Sequence, residues 1–252
     1  MKVFDSHFHI IDTRFPLIAN SGYLPQPFTT EDYLKKVNDL HVLGGAVVSG
    51  SFQAFDQNYL IAALKTLGSH FVGVTQIPTN VSDQSIIDLH QAGVRAVRFN
   101  IKRGGSASIE DIQSLALRCY ALVKWHSEFY LDAINLPDIY DILLKLPAVS
   151  IDHLGLSKEG FPHLLKMVEH GAHVKATGFG RVNFDVIEMM KKITAVNPDC
   201  LMFGTDLPST RAPRPFTTTD LSLIINHFNA LQAEKILFSN AVDFYGVTNL
   251  KM

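Results

Sequence analysis

The chain opens MKVFDSHFHI (residues 1–10), and the reading of this stretch decides the fold. Lys2–Phe8 has the short apolar character of a strand, and a period of two sets His7 and His9 on one face at its C-terminal end. Two imidazoles on one face at a strand end can share a metal ion or a polarised oxygen. Backbone-satisfied polar histidines would leave the same local pattern, so the pair gains meaning only from its surroundings.

Those surroundings repeat the opening. Short apolar runs rich in β-branched residues recur at Gly45–Gly50, His70–Gln76, Val94–Phe99, Glu128–Ala133, Ala148–His153, His173–Thr177 and Cys200–Thr205. Segments of helical periodicity lie between them: Thr30–Leu40 (opened by TTED), Asp56–Leu67, Ser82–Ala92, Ser108–His126, Leu136–Leu146, Lys158–His170, Asn183–Val196 and Thr218–Ala230. The stretch ALQAEKILFSNAVDFYG (residues 230–246) predicts a short closing helix. Strands joined by crossovers of this length run parallel, and eight of them can close into a barrel. The competing open doubly wound sheet lacks a Gly-rich phosphate fingerprint after any early strand. The sequence therefore predicts an α/β chain with one (β/α)8 TIM-barrel domain over residues 1–252. The loop Thr13–Thr29, with Pro16, Pro25 and Pro27, is expected over the C-terminal ends of the strands, where lids and specificity loops sit.

Composition narrows the function. With 252 residues, 47% hydrophobic and 18% charged, the chain can bury one large core. A formal net charge of −2 supplies no basic excess for nucleic acid. Cys119 and Cys200 sit in apolar stretches and imply no disulfide framework. Neither a signal peptide nor a membrane-length apolar run is evident, so the expected setting is cytoplasmic, with no membrane partner; oligomeric state is not encoded legibly.

The chemistry lies at the strand ends. IDHLG (residues 151–155) closes the sixth strand candidate and FGTDLP (residues 203–208) the eighth. A lone His or Asp at such a place is commonly a cap or a satisfied polar group. His7, His9, His153 and Asp206, on three strands that converge at one barrel face, form a constellation that structure alone does not demand. Arg98 ends the fourth strand, Lys175 lies on the seventh, and Arg181 follows a glycine-rich turn. An arginine fork can hold a carboxylate through two hydrogen bonds, whereas a rim salt bridge is the commoner fate of an isolated basic residue. Tyr130 and Asp132 share a face of the fifth strand as further candidate contacts, with a buried phenol and a helix cap as the plainer readings. Arg211 and Arg214 follow the eighth strand and could extend an anion-binding surface or remain solvated loop charges.

Nearly the whole chain resembles the amidohydrolase superfamily, in particular the branch of 2-pyrone-4,6-dicarboxylate lactonase and related sugar-lactone hydrolases. The resemblance rests on DSHFHI at the start, GVRAVRFN near Arg98, IDHLG, VKATGFGR at Lys175 to Arg181, GTDLP, and SNAVDFYG near the end. It implies that His7, His9, His153 and Asp206 take the hydrolytic positions, and that Arg98, Lys175 and Arg181 bind substrate carboxylates. Two departures weaken substrate assignment. The second strand is followed by QAFDQN (residues 53–58) where the branch often has a glycine-containing turn before Asp-Asn, and Leu156 and Ser157 stand where it often has an arginine.

Hydrolysis of a carboxylated lactone needs a base for the attacking water and a positive group for the oxyanion. Asp206 is the expected base. His7, His9 and His153 would hold one divalent ion, zinc by ligand type, or donate hydrogen bonds to the carbonyl directly. The fifth strand offers neither lysine nor histidine within EFYLDAI (residues 128–134), which argues against a two-metal site. The branch implies a metal-independent lactonase as readily as a mononuclear one. The alternatives are a metal-dependent decarboxylase of the same superfamily and a catalytically silent small-molecule-binding barrel.

Overall fold

The computed structural model describes residues 1–250. Its centre is an eight-stranded sheet of consecutive parallel neighbours: β1 (Val3–Phe8), β2 (Val42–Val48), β3 (Phe71–Thr75), β4 (Val94–Asn100), β5 (His126–Tyr130), β6 (Val149–Ile151), β7 (His173–Ala176) and β8 (Leu201–Phe203). The seam between β8 and β1 is joined beyond the last strand residues, where Asp206 N donates to His7 O and His9 N donates to Leu207 O, both at 2.7 Å. Asp5 locks the same seam from within, accepting from Thr205 N at 2.8 Å and from the Thr205 hydroxyl at 2.7 Å. Gly204 is required here, because a Cβ would lie 2.7 Å from His7 N. The result is a (β/α)8 barrel, as the alternation of the sequence predicts.

Helices α1 (Thr30–Val37), α2 (Asn58–Leu67), α3 (Asp83–Gln91), α4 (Ile109–Val123), α5 (Tyr140–Leu143), α6 (Phe161–Glu169), α7 (Val186–Val196) and α8 (Thr218–His227) ring the barrel. Their starts are chemically marked: Thr29 and Asp32 form a reciprocal capping box at α1, and Asp185 accepts from Ile187 N and Glu188 N at α7. The outer core, between strands and helices, is apolar and includes Phe8, Val47, Phe99, Trp125, Ile151 and Ile193. A second cluster fills the N-terminal half of the barrel interior with Phe4, Ala46, Val72, Val74, Ala96 and Met202. This floor is closed by α9 (Asn240–Tyr245), whose Tyr245 ring stacks 5.6 Å from that of Phe4.

Several boundaries differ from expectation, each for a local reason. The fifth strand begins at His126 and ends at Tyr130 rather than spanning Glu128–Ala133, because Asp132 accepts from Ile134 N and turns the chain into a 3-10 helix over Ala133–Ile139. That segment and α5 replace the continuous helix expected over Leu136–Leu146, with Pro137 inside the 3-10 turn. The closing helix is interrupted by a π turn at Lys235–Ser239. Strands β6 and β8 end at Ile151 and Phe203, before His153 and Asp206, so both residues lie on turns beyond the sheet.

The loop over residues 13–29 crosses the barrel mouth as expected. Ile18 N donates to Phe52 O at 2.8 Å, and the Asn20 side chain donates to Arg103 O at 3.2 Å. Arg211 donates to Asn20 O and lies with its guanidinium 4.4 Å from the Tyr23 ring centroid. Among the described residues, no helix is long and apolar enough to cross a membrane.

Candidate active site

The barrel interior changes character halfway up. Strands β4, β5 and β7 project Arg98, Glu128 and Lys175 inward, and Asp152 follows β6, all four buried. Such a layer is ordinarily apolar in this fold. Here the charges pair: Arg98 Nη2 donates to Asp152 Oδ2 at 2.8 Å, and Lys175 Nζ donates to Glu128 Oε2. Tyr245 Oη donates to Glu128 Oε1 at 2.5 Å, and His126 Nε2 lies 3.0 Å from the same oxygen. Burial alone would push Asp152 up, but His7, Arg98 and Lys175 outweigh it and hold the carboxyl well below its usual range. Burial is likewise opposed at Glu128, where Lys175 and His126 bring the carboxyl down.

Above this layer stand the imidazoles. The ring centroids of His7 lie 5.1 Å from those of His9 and 4.9 Å from those of His153. His9 Nδ1 is 2.7 Å from Val48 O. A carbonyl only accepts, so this nitrogen carries the proton and the neutral ring presents Nε2 as a lone pair. His153 has φ +54° and Asp206 φ +62°, backbone conformations that non-glycine residues seldom adopt. Gly178, at φ +62°, makes room for His153, since a Cβ there would lie 2.6 Å from its Nδ1. Burial lowers the pKa of all three histidines. The nearby cations add to this, Lys175 and Arg98 at His7 and Arg98 and Arg181 at His9 and His153, so the rings are neutral near pH 7.

Asp206 lies on the far side of His7, its Oδ1 3.9 Å from Nε2. Arg181 covers it with a two-pronged contact, Nε to Oδ2 at 2.7 Å and Nη2 to Oδ1 at 3.0 Å, while Nη2 also donates to Thr210 O at 2.9 Å. The cavity above has His9, His153 and Tyr130 in its lining together with Arg98, Arg103, Arg181 and Arg211. Its walls thus present several guanidinium groups to whatever enters.

The structure brings His7, His9, His153, Asp206, Arg98, Arg181 and Tyr130 to one end of the barrel. Lys175 does not reach the cavity: it is fully buried beneath His7 and committed to Glu128, because its position on β7 points into the closed interior. Asp132 is a cap, bonded also to Ser157 and Lys102, and Arg214 pairs with Asp220 away from the cavity. Gln53 is structural, donating to Ile10 O at 2.6 Å. Sequence reasoning passed over Asp152, Glu128, Arg103 and Tyr23. Charged residues at inward positions of otherwise apolar strands were the signal for Glu128. For Tyr23 no local signal exists, since a long loop places it.

One ligand atom from each of His7, His9 and Asp206 lies within 4.8 Å of the others, and His7, Asp152 and His153 form a second such trio. The donor set suits a metal ion. His7 Nε2 is buried and unpartnered, His9 Nε2 is a lone pair when the ring is neutral, and Asp206 supplies the anion. Arg181 occupies both Asp206 oxygens and would have to yield one to such an ion.

The comparisons with known proteins agree with the geometry. A family model described as amidohydrolase matches residues 4–247. A curated 2-pyrone-4,6-dicarboxylate hydrolase from Comamonas testosteroni is 27% identical over 232 residues, which cover 81% of this chain and 76% of that one. A 4-sulfomuconolactone hydrolase from Hydrogenophaga intermedia is 22% identical over 268 residues, 96% of this chain and 88% of the relative. A probable 2-pyrone-4,6-dicarboxylic acid hydrolase from Acinetobacter baumannii, crystallised with citric acid bound, shares the fold with a TM-score of 0.84 at 19% identity, covering 98% of this chain and all of that one. With all but a few terminal residues matched by the family model, the chain belongs to the amidohydrolase family.

Proposed function

We propose that this chain hydrolyses a carboxylated lactone, a cyclic ester of the 2-pyrone-4,6-dicarboxylate or sugar-acid kind, by water attack on the ester carbonyl. The observation that carries the reading is a single cavity lined by His9, His153, Arg98, Arg103, Arg181 and Arg211, with the Asp206 carboxylate directly behind Arg181. The names of the two curated relatives, both hydrolases and one of a muconolactone, support the same substrate class.

In this reading Asp206 accepts the proton of the attacking water, a task for which it must first be free of Arg181. A substrate carboxylate offers the guanidinium an alternative partner of equal charge, and Arg98, Arg103, Arg211 and Tyr130 hold the remaining polar groups of the ring. His153 polarises the carbonyl from the cavity wall. Neutral His9 cannot donate through Nε2, so its contribution is as an acceptor or as a ligand. Where an ion is bound, His7, His9 and Asp206 would hold it, zinc being the best match by ligand type, and it would supply a Lewis acid for the ester carbonyl.

The experiment is release of acid from a panel of carboxylated lactones by the wild-type chain and by Asp206→Asn. Hydrolysis by the first and a loss of roughly 10²- to 10⁴-fold in the second is expected. Equal rates would reject Asp206 as base, and no hydrolysis across the panel would reject the substrate class.

A further inference from the structure

His7 is held between two carboxylates, one facing each ring nitrogen. Nδ1 lies 3.4 Å from Asp152 Oδ1, and Nε2 lies 3.9 Å from Asp206 Oδ1. The neutral ring carries one proton, and where it sits decides what His7 can do: with Nδ1–H, Nε2 is a lone pair toward the reaction centre, and with Nε2–H it is a donor.

Three neighbours bear on this choice, and one of them, Asp206, would favour Nε2–H but lies 3.9 Å away with both oxygens already accepting from Arg181. Lys175 Nζ stands 3.5 Å from Nδ1 and, as a donor, would impose the Nε2–H form. Asp152 can only accept and would impose Nδ1–H. Lys175 gives one N–H to Glu128 and keeps two, but at 3.5 Å from Nδ1 it stands at the limit of hydrogen-bond reach. Asp152 Oδ2 is taken by Arg98, whereas Asp152 Oδ1 is buried with no hydrogen-bond partner, as is His7 Nε2. A buried carboxylate oxygen left without a donor is costly, and the imidazole N–H at 3.4 Å is nearer to it than the Lys175 ammonium at 3.7 Å.

We infer that Asp152 is a positioning residue that fixes His7 in its Nδ1–H form, so that a lone pair on Nε2 faces Asp206. Arg98 and Lys175 act through Asp152, holding it in one orientation. The four buried charges are thus a foundation for one imidazole, the arrangement by which an outer carboxylate sets the tautomer of an inner histidine in catalytic and metal sites alike. The effect of this on turnover rests on the hydrolase reading above, while the tautomer itself does not.

The test is a long-range 1H–15N correlation spectrum of the full chain labelled at histidine nitrogen, with the His7 signals identified by their loss in His7→Gln. Wild-type His7 is expected to show a protonated Nδ1 and an unprotonated Nε2. In Asp152→Asn, Arg98 claims the single amide oxygen and turns the NH2 toward His7, so the signals exchange to the Nε2–H pattern. With a lactone that the wild type hydrolyses, the same variant loses about 10- to 100-fold in kcat with KM changed less than about twofold. An Nε2–H pattern in the wild type would overturn the inference without requiring any variant to fold, as would an unchanged tautomer in a folded Asp152→Asn. An Nδ1–H wild type that hydrolyses no lactone would uphold it and reject the hydrolase reading.

Discussion

Two aspartate–arginine pairs flank the same imidazole, and they differ in how many buried cations hold the carboxylate. Asp152 sits below His7 with Arg98 at 2.8 Å and Lys175 at 3.7 Å, both cations being buried. Asp206 sits beside His7 with Arg181 at 2.7 Å, and Arg181 lines the cavity. The lower pair is tied in from several strands, so it fixes geometry. The upper carboxylate has one cationic partner, and that partner can be drawn away by an anion entering from solvent. Similar chemistry thus serves as scaffold in one place and as a releasable contact in the other.

Mutation should separate the two roles. The largest effect falls on turnover: Asp206→Asn loses roughly 10²- to 10⁴-fold in kcat/KM for a hydrolysed lactone. Its stability should fall less than that of a variant that deletes the lower carboxylate, because the amide oxygen of the substituted side chain still accepts from Arg181. Asp152→Ala reverses the emphasis, since it strands Arg98 and Lys175 without their shared anion. Urea unfolding should show a loss of about 3–5 kcal/mol. A drop no larger than that of Asp206→Asn would dissolve the distinction between the pairs.

A smaller effect belongs to the barrel floor, where burial acts on a histidine and outweighs the nearby Asp199 carboxylate. His173 stacks on Phe244 at 4.0 Å, and burial followed by the nearby His126 lowers its pKa to about 4. The fold therefore favours neutral His173. Its stabilising contribution is present above the unfolded value of about 6.5 and is lost as pH falls through about 4. Between pH 7 and pH 4 the wild type should lose about 2–3 kcal/mol relative to His173→Phe, measured by urea unfolding at each pH. Parallel losses in the two proteins would show that His173 carries no such linkage.

The barrel and its catalytic end were legible because they rest on local signals. Apolar runs at regular spacing gave all eight strands, and DSHFHI, IDHLG and GTDLP marked the residues that meet at the mouth. Arg98 and Arg181 also reach the cavity from positions the motifs indicate. The buried charge layer was harder to read, since Glu128 pairs with Lys175 only when β5 and β7, separated by β6, both turn these side chains into the closed barrel. Lys175 consequently read as a substrate ligand, although the closed interior leaves it no route to the cavity. The turn conformations of His153 and Asp206 were likewise hidden, because their positive φ angles answer to the packing around them and not to their own preferences.

The most direct test of this account is the kcat of the wild-type chain for a carboxylated lactone against that for its methyl ester, the same ring without the charge. If an anionic substrate must draw Arg181 from Asp206, the acid should turn over at least about tenfold faster at saturation, and Arg181→Gln should narrow the gap. Equal kcat for acid and ester, with the preference confined to KM, would contradict it.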